Sequence, residues 1–362
     1  TVTIDPKTIT ATVELSKSSY VYDGTKQEPT ITVKDGGTVI DTDQYTVTWA
    51  DDSDSTATSV LTNVGKYTAT IKNVTGGNYT FTATAQVKIV AKGQDALNIT
   101  GQPDHVYYGD TIRSLTTTGG SGNGTVTWSS DNTAIAAIDP DTGVLTIKDV
   151  GTVTVKAERA VPNYETVSAA WTFTVEPKPV VAEVTVTAKD YDGTNSVANT
   201  AITANVKAGD LVDPDNDTIT ITGLAGTYDN TNAGTNKTVT LDDSNVKITG
   251  DTGKYAVSCP ATVKADINPR TVTVSVTLSG NDLQTDANGA YYEYDGTEKK
   301  PDVTVTADDN NAVLAPSHYT VSYANNKNVS TNDVKGAVTV TAEAGGNYTF
   351  ADVEVQFDIR KA

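Results

Sequence analysis

The chain has no methionine, one cysteine, two histidines and four phenylalanines in 362 residues, and each scarcity closes off some chemistry. Cys259 alone cannot form a disulfide within the chain, so stability must come from packing. It alternates with Tyr255 and Val257, the pattern of a core-facing residue and not of a reactive thiol. His105 and His318 are far apart, which removes a histidine metal cluster or a Ser-His-Asp triad within one domain. No His-Glu-x-x-His or Gly-x-Ser-x-Gly string occurs. Gly119-Gly120-Ser121-Gly122-Asn123-Gly124 lacks both dinucleotide spacing and a following helix, and reads as a flexible loop. No apolar run reaches the length of a membrane span, and no charged-then-apolar start has the form of a signal peptide. Without an initiator methionine, the chain reads as an excised or processed segment of a longer protein whose export and anchoring signals lie elsewhere.

Basic residues are also few, 26 against 45 acidic, for a formal net charge of −19. Such a surface repels nucleic acid and anionic membranes and favours a soluble monomer within a longer chain, with no direct membrane insertion.

What is present is a repeat. Tyr22-Asp23-Gly24-Thr25, Tyr108-Gly109-Asp110-Thr111, Tyr191-Asp192-Gly193-Thr194 and Tyr294-Asp295-Gly296-Thr297 recur along the whole length. Asp and Gly together supply a side chain that bonds its own backbone and a residue tolerant of positive φ, the needs of a tight reversal. A second marker follows each tetrad at a similar interval: Asn78-Tyr79, Asn163-Tyr164, Lys254-Tyr255 and Asn347-Tyr348. Internal periodicity outranks a length prior, and gives four modules with limits 1–92, 93–178, 179–268 and 269–362.

Within the modules, apolar residues alternate with threonine. Ile9, Ala11, Val13 and Leu15 share one face of the first opening run, and Val272, Val274, Val276 and Leu278 one face of the last. Trp171, Phe173 and Val175, and Val353, Val355, Phe357 and Ile359, do the same in closing strands. Strict alternation with no helical period predicts antiparallel sheets half in water. Several short strands per module predict an all-β chain of four tandem immunoglobulin-like β-sandwich domains in an elongated array. Asn63-Val64-Gly65-Lys66-Tyr67 has the form of a tyrosine corner, and Asp149-Val150-Gly151 and Asn232-Ala233-Gly234 repeat it without the tyrosine. Ala91 to Asn98, Glu176 to Pro179 and Ala265 to Arg270 read as short joints.

At the tetrads the match becomes specific. With Gly77-Asn78-Tyr79-Thr80 and the counterpart from Gly346, the first and fourth modules resemble MBG-type bacterial surface repeats. The third, with Lys189-Asp190-Tyr191-Asp192-Gly193-Thr194 and Asn232-Ala233-Gly234-Thr235, resembles a YDG domain. The second, with Val126-Thr127-Trp128-Ser129-Ser130-Asp131-Asn132, Asp141-Thr142-Gly143 and Val150-Gly151-Thr152-Val153, is similar to a group-two bacterial immunoglobulin-like domain. The resemblance implies an extracellular protein, secreted or anchored at the cell wall of a Gram-positive bacterium. Its repeats flank adhesive domains in some proteins and carbohydrate-active domains in others, so function from the fold is analogy.

Three local features are candidate sites. Asp213, Asp215 and Asp217 could converge on calcium, the one cofactor the sequence suggests, although an Asp- and Asn-rich turn between strands is the commoner explanation of such a cluster. Tyr291, Tyr292 and Tyr294 form the densest aromatic group and are the candidate contact for a host glycan or protein. Trp49, Trp128 and Trp171 alternate with apolar neighbours and read as core. Lys189 reads as a polar-face residue, and no in-facing lysine is evident for an isopeptide cross-link. Catalytic residues are none: carboxylates are plentiful, but small sandwiches offer no cleft in which to pair them. The expected role is a non-catalytic stalk or spacer in an adhesin-like surface protein. A binding module, free or accessory to a carbohydrate-active enzyme, is the alternative.

Overall fold

The computed structural model describes residues 2–214 and 216–361. It is all-β, with helix among the described residues limited to short 3-10 turns such as Thr42–Gln44 and Pro316–His318. The chain divides into two compact units, Thr1–Pro177 and Lys178–Ala362. In each unit the strands fall into two sets, residues 7–90 and 97–176 in the first and 178–268 and 270–360 in the second, and every sheet closes within one set.

One arrangement recurs in all four sets. A long strand, Gly65–Asn73, Gly151–Ala160, Gly234–Asp242 or Gly336–Ala342, pairs antiparallel with a closing strand, Thr82–Val90, Val167–Glu176, Thr262–Asn268 or Val353–Arg360. The other edge of the closing strand takes a short parallel strand, Ser19–Val21, Val106–Tyr107, Lys189–Asp190 or Gly289–Glu293, lying just before the tetrad. The tetrad tyrosine then donates its N–H to the closing strand: Tyr22 to Val90 O at 2.9 Å, Tyr108 to Glu176 O at 3.0 Å, Tyr191 to Asn268 O at 2.9 Å and Tyr294 to Arg360 O at 2.8 Å.

Alternation places the core. On the long strand of the first set Tyr67, Ala69 and Ile71 are buried, while Thr68 and Thr70 between them and Lys66 and Lys72 on either side point outward. Val153, Val155 and Ala157 do this in the second set and Val338 and Val340 in the fourth. Each apolar cluster stays within one set. Each buried Leu, Ile or Phe contributes about 1.5–3 kcal/mol. Trp128 is buried as expected, and Trp49 and Trp171 pack half-buried against their cores.

Several expectations are corrected. The tetrads are not hairpin tips, because the strands on either side belong to different sheets: Ser19–Val21 joins the closing strand, and Ile31–Asp35 pairs with Ala11–Leu15. Asp-Gly serves an Asx turn instead, with Asp23 Oδ1 accepting from Thr25 N at 2.8 Å and Thr25 Oγ1 at 2.7 Å, and Gly24 at φ +80°. Two segments read as joints carry strand, since Ala265 and Ile267 are core and Lys178–Val181 pairs with Tyr255–Ser258. The glycine-rich loop is pinned, because the Arg159 guanidinium donates to Gly119 O at 3.1 Å and Gly122 O at 2.6 Å.

Lysines do face inward. The alternation from Val184 breaks where the chain changes sheets, so Lys189 folds under the tetrad and donates to Asp192 Oδ1 at 2.8 Å and Thr194 O at 2.9 Å. Lys299 is buried beside Asp295 at 2.6 Å, and Lys237 beside Asp229 at 3.0 Å. Each buried ammonium is paired, as its desolvation demands.

The tyrosine corner is real in the first set, where Tyr67 OH donates to Asn63 O at 2.9 Å. Tyr67 stands opposite Val87, and at the matching place in the fourth set Gly336 stands opposite Phe357. The bulk has moved across the pair: a Cβ on Gly336 would lie 2.5 Å from Phe357 Cε2. Gly336→Ala is therefore expected to destabilise the fourth set by about 1–3 kcal/mol in urea unfolding. Gly37→Ala, with nothing within 4 Å of its added Cβ, should stay within about 0.5 kcal/mol.

Candidate functional site

The polar contacts between strand sets inside each unit are the same contact made twice. In the first unit Asn163 of the second set reaches the corner of the first: its Oδ1 accepts from Val64 N at 2.8 Å, and its Nδ2 donates to Asn63 Oδ1 at 3.1 Å. In the second unit Asn347 of the fourth set reaches the corner of the third, with Oδ1 accepting from Ala233 N at 2.8 Å and Nδ2 donating to Asn232 Oδ1 at 3.1 Å. One carboxamide satisfies a donor and an acceptor together, which fixes direction as well as distance.

The tyrosine after each asparagine completes the contact. Tyr164 meets Tyr22 edge to face at 5.6 Å and 73°, and Tyr348 meets Tyr191 at 5.4 Å and 74°. His318 joins the second pair, 5.0 Å from Tyr348. The chain entering each later set is tied to the same hairpin, with Lys92 N donating to Asn163 O at 3.1 Å and Arg270 N to Asn347 O at 2.9 Å. Both tetrad and Asn-Tyr marker are therefore parts of one clasp, with a knob (Asn-Tyr) and a socket (tetrad tyrosine and corner).

The corner residue holds the socket. Tyr67 OH bonds Asn63 O, the residue whose side chain accepts from Asn163. In the third set a bulge between Gly234 and Lys237, with Asn236 at φ +52°, brings Lys237 opposite Ala265, where the first set has Tyr67 opposite Val87. Lys237 Nζ donates to Asn230 Oδ1 at 2.6 Å, and Asn230 Oδ1 also accepts from Asn232 N at 3.0 Å. A tyrosine hydroxyl and a lysine ammonium thus do the same work. With roughly 1 kcal/mol per hydrogen bond and roughly 1 for the aromatic pair, a clasp contributes about 2–3 kcal/mol. That suffices to hold a covalently linked joint closed by a factor of roughly 30 or more.

The sequence candidates fall elsewhere. Tyr292 is buried against Phe357, edge to face at 5.7 Å, which takes it out of any surface group. Tyr291 lies under the Arg360 guanidinium at 3.8 Å, and Tyr294 is 43% exposed. Asp217 is buried and accepts from Tyr255 OH at 2.6 Å and Lys254 Nζ at 3.1 Å, whereas Asp213 Oδ2 accepts from Asn216 at 2.8 Å. Asp215 lies outside the described residues. Among the described residues no three His, Cys, Asp or Glu side chains are grouped to hold a metal, and His105 and His318 lie in different units. The asparagines of the clasp were legible only as repeat markers.

Three tetrad carboxylates, those of Asp23, Asp192 and Asp295, are held below the usual carboxylate range. Burial alone would raise the Asp192 pKa, but the Lys189 ammonium and the Thr194 N–H and hydroxyl outweigh it and lower it to about 2. Thr25 holds Asp23 below the usual range, and Lys299 with Thr297 holds Asp295 there. A depressed folded pKa gives stability that is complete above the unfolded value of about 3.9 and is lost as pH falls through the folded value. The thermal midpoint should hold down to about pH 5 and fall towards pH 2. In an NMR titration Lys189→Met should move the Asp192 midpoint upward. Asn163→Ala should speed amide exchange at Val64, and Asn347→Ala at Ala233, by about tenfold each, for loss of one bond of about 1.4 kcal/mol.

A family model described as the YDG domain matches residues 176–264, in line with the resemblance of the third module. A model described as the intimin immunoglobulin-like domain matches residues 112–161, where the resemblance pointed to a group-two bacterial domain. No curated protein matches the chain. Among solved structures, the extracellular cadherin domains 3–6 of protocadherin gamma B2 align over 97% of this chain and 100% of that one, at 12% identity and a TM-score of 0.25. The human desmocollin-1 ectodomain aligns over 96% of this chain and 80% of that one, at 10% identity and a TM-score of 0.25. Murine CEACAM1b aligns over 46% of this chain and 98% of that one, at 12% identity and a TM-score of 0.22. Residues 176–264 are thus similar to the YDG domain and residues 112–161 to the intimin immunoglobulin-like domain, consistent with bacterial surface Ig-like repeats.

Proposed function

We propose that the chain is a non-catalytic spacer segment of a secreted or cell-wall-anchored surface protein of a Gram-positive bacterium. In this reading its four strand sets are separate immunoglobulin-like domains, with limits near 1–92, 93–178, 179–268 and 269–362. The observation that carries the reading is the clasp, which repeats with the same two distances in both units. A joint built the same way twice, from one carboxamide and one aromatic pair, is what a part selected for fixed spacing would conserve in its construction. Net charge of −19 and polar outer faces keep such a segment soluble and disfavour edge-to-edge association. Family models of bacterial surface repeats support an adhesin-like or structural setting.

The test is the rigidity of a joint within one unit. In a Cys259→Ser background, spin labels at Ser18→Cys and Thr146→Cys report the distance between the two sets of the first unit. A single narrow distance distribution is expected, broadened by Asn163→Ala. A broad distribution in the parent chain would contradict a spacer role. Saturable binding of the chain to a glycan or host-matrix array would favour the competing role of a binding module.

A further inference from the structure

The fourth strand set carries a clasp socket of its own. Ser330 N donates to Ile359 O at 2.8 Å, at the register where Gly65 pairs with Ile89 and Gly234 with Ile267. Asn328-Val329-Ser330 therefore stands where Asn63-Val64-Gly65 and Asn232-Ala233-Gly234 stand in the two sockets that are filled. Tyr294 occupies the tetrad position and is 43% exposed, whereas Tyr22 and Tyr191 are half-buried against the next set's tyrosine. Asn328 is exposed, and within the described residues neither its carboxamide nor the Val329 N–H makes a hydrogen bond.

Beside these residues lies an open groove of about 520 Å³, lined among others by Val329, Ser330, Ile359 and Arg360. Its counterpart on the third set, about 260 Å³, is lined by the matching Ala233, Gly234, Ile267 and Asn268 together with Gly345. Gly345 belongs to the hairpin that carries Asn347 into the socket, so in the third set the next set's knob forms one wall. Thr331 to Lys335 stand where the first set has Lys66 alone and the third has Thr235 and Asn236, and they close on themselves, with Thr331 N bonded to Val334 O at 2.9 Å, which gives this groove a lip.

The first set presents a knob that fits. At the first set Gly77-Asn78-Tyr79 has the form of Gly346-Asn347-Tyr348, and Lys7 N donates to Asn78 O at 2.9 Å just as Arg270 N donates to Asn347 O. Asn78 is exposed, and its carboxamide makes no hydrogen bond within the described residues.

We propose that Tyr294, Asn328 and the Val329 N–H form a docking socket for a further immunoglobulin-like module presenting a Gly-Asn-Tyr hairpin of the kind the first set presents. The asparagine carboxamide accepts from Val329 N–H and donates to Asn328 Oδ1, and the tyrosine of the hairpin packs on Tyr294. This extends the spacer reading and rests on its clasp, but it has its own readout.

The experiment is a tandem chain in which residue 361 is followed directly by residue 7 of a second full copy. The junction keeps phase because Ile359-Arg360-Lys361 matches Ile4-Asp5-Pro6. Amide exchange is followed at Val329 of the first copy and compared with the single chain. Slowing of about tenfold or more is expected, reversed by Asn78→Ala in the second copy alone. Equal rates at Val329 in tandem and single chains, with Val64 and Ala233 still slow, would overturn this socket and leave the clasp standing. Fast exchange at Val64 and Ala233 as well would overturn both.

Discussion

An asparagine side chain that gives and takes a hydrogen bond at once is the constraint on which this architecture turns. Asn163 and Asn347 each face a backbone N–H and a second asparagine oxygen, and the two demands together could be met neither by a carboxylate, which accepts but cannot donate, nor by a hydrocarbon of similar size. A carboxylate would set an anionic acceptor against the acceptor oxygen of Asn63 or Asn232, and an aliphatic side chain would leave both groups unpaired. Each bond is modest, but the partners are already tethered by the chain, so modest energy is enough to select one arrangement.

The rest of the first and third strand sets serves that contact. The closing strand receives the tetrad tyrosine's N–H, which fixes where its ring emerges, and the long strand begins at the corner whose asparagine accepts the clasp. In both filled sockets a donor reaches back into the corner loop: Tyr67 does so through a hydroxyl, Lys237 through an ammonium raised into place by a bulge. In the fourth set Gly336 gives up the donor, Phe357 fills the space, and the loop lengthens around Ser330.

Much of the fold was legible because strand period is a local property. Thr8 to Leu15 and Val353 to Ile359 alternate in sequence as they do in burial. The repeat markers were legible too, but their partnership was not, since Asn163 meets Asn63 across 100 residues and no spacing rule links them. Lys189 was misplaced for a related reason. Alternation holds only while a strand stays in one sheet, and the chain changes sheets between Val186 and Lys189. Tyr292 shows the same limit: three tyrosines close in sequence look like a surface group, while a strand must turn one of them inward.

Residual dipolar couplings of backbone amides test the central claim most directly, because they report whether two bodies share one orientation. Couplings from residues 7–90 and 97–176 should fit a single alignment tensor of one magnitude, as should those from 178–268 and 270–360. Tensors of clearly different magnitude within either unit would show that the sets reorient independently and that the clasp does not hold them.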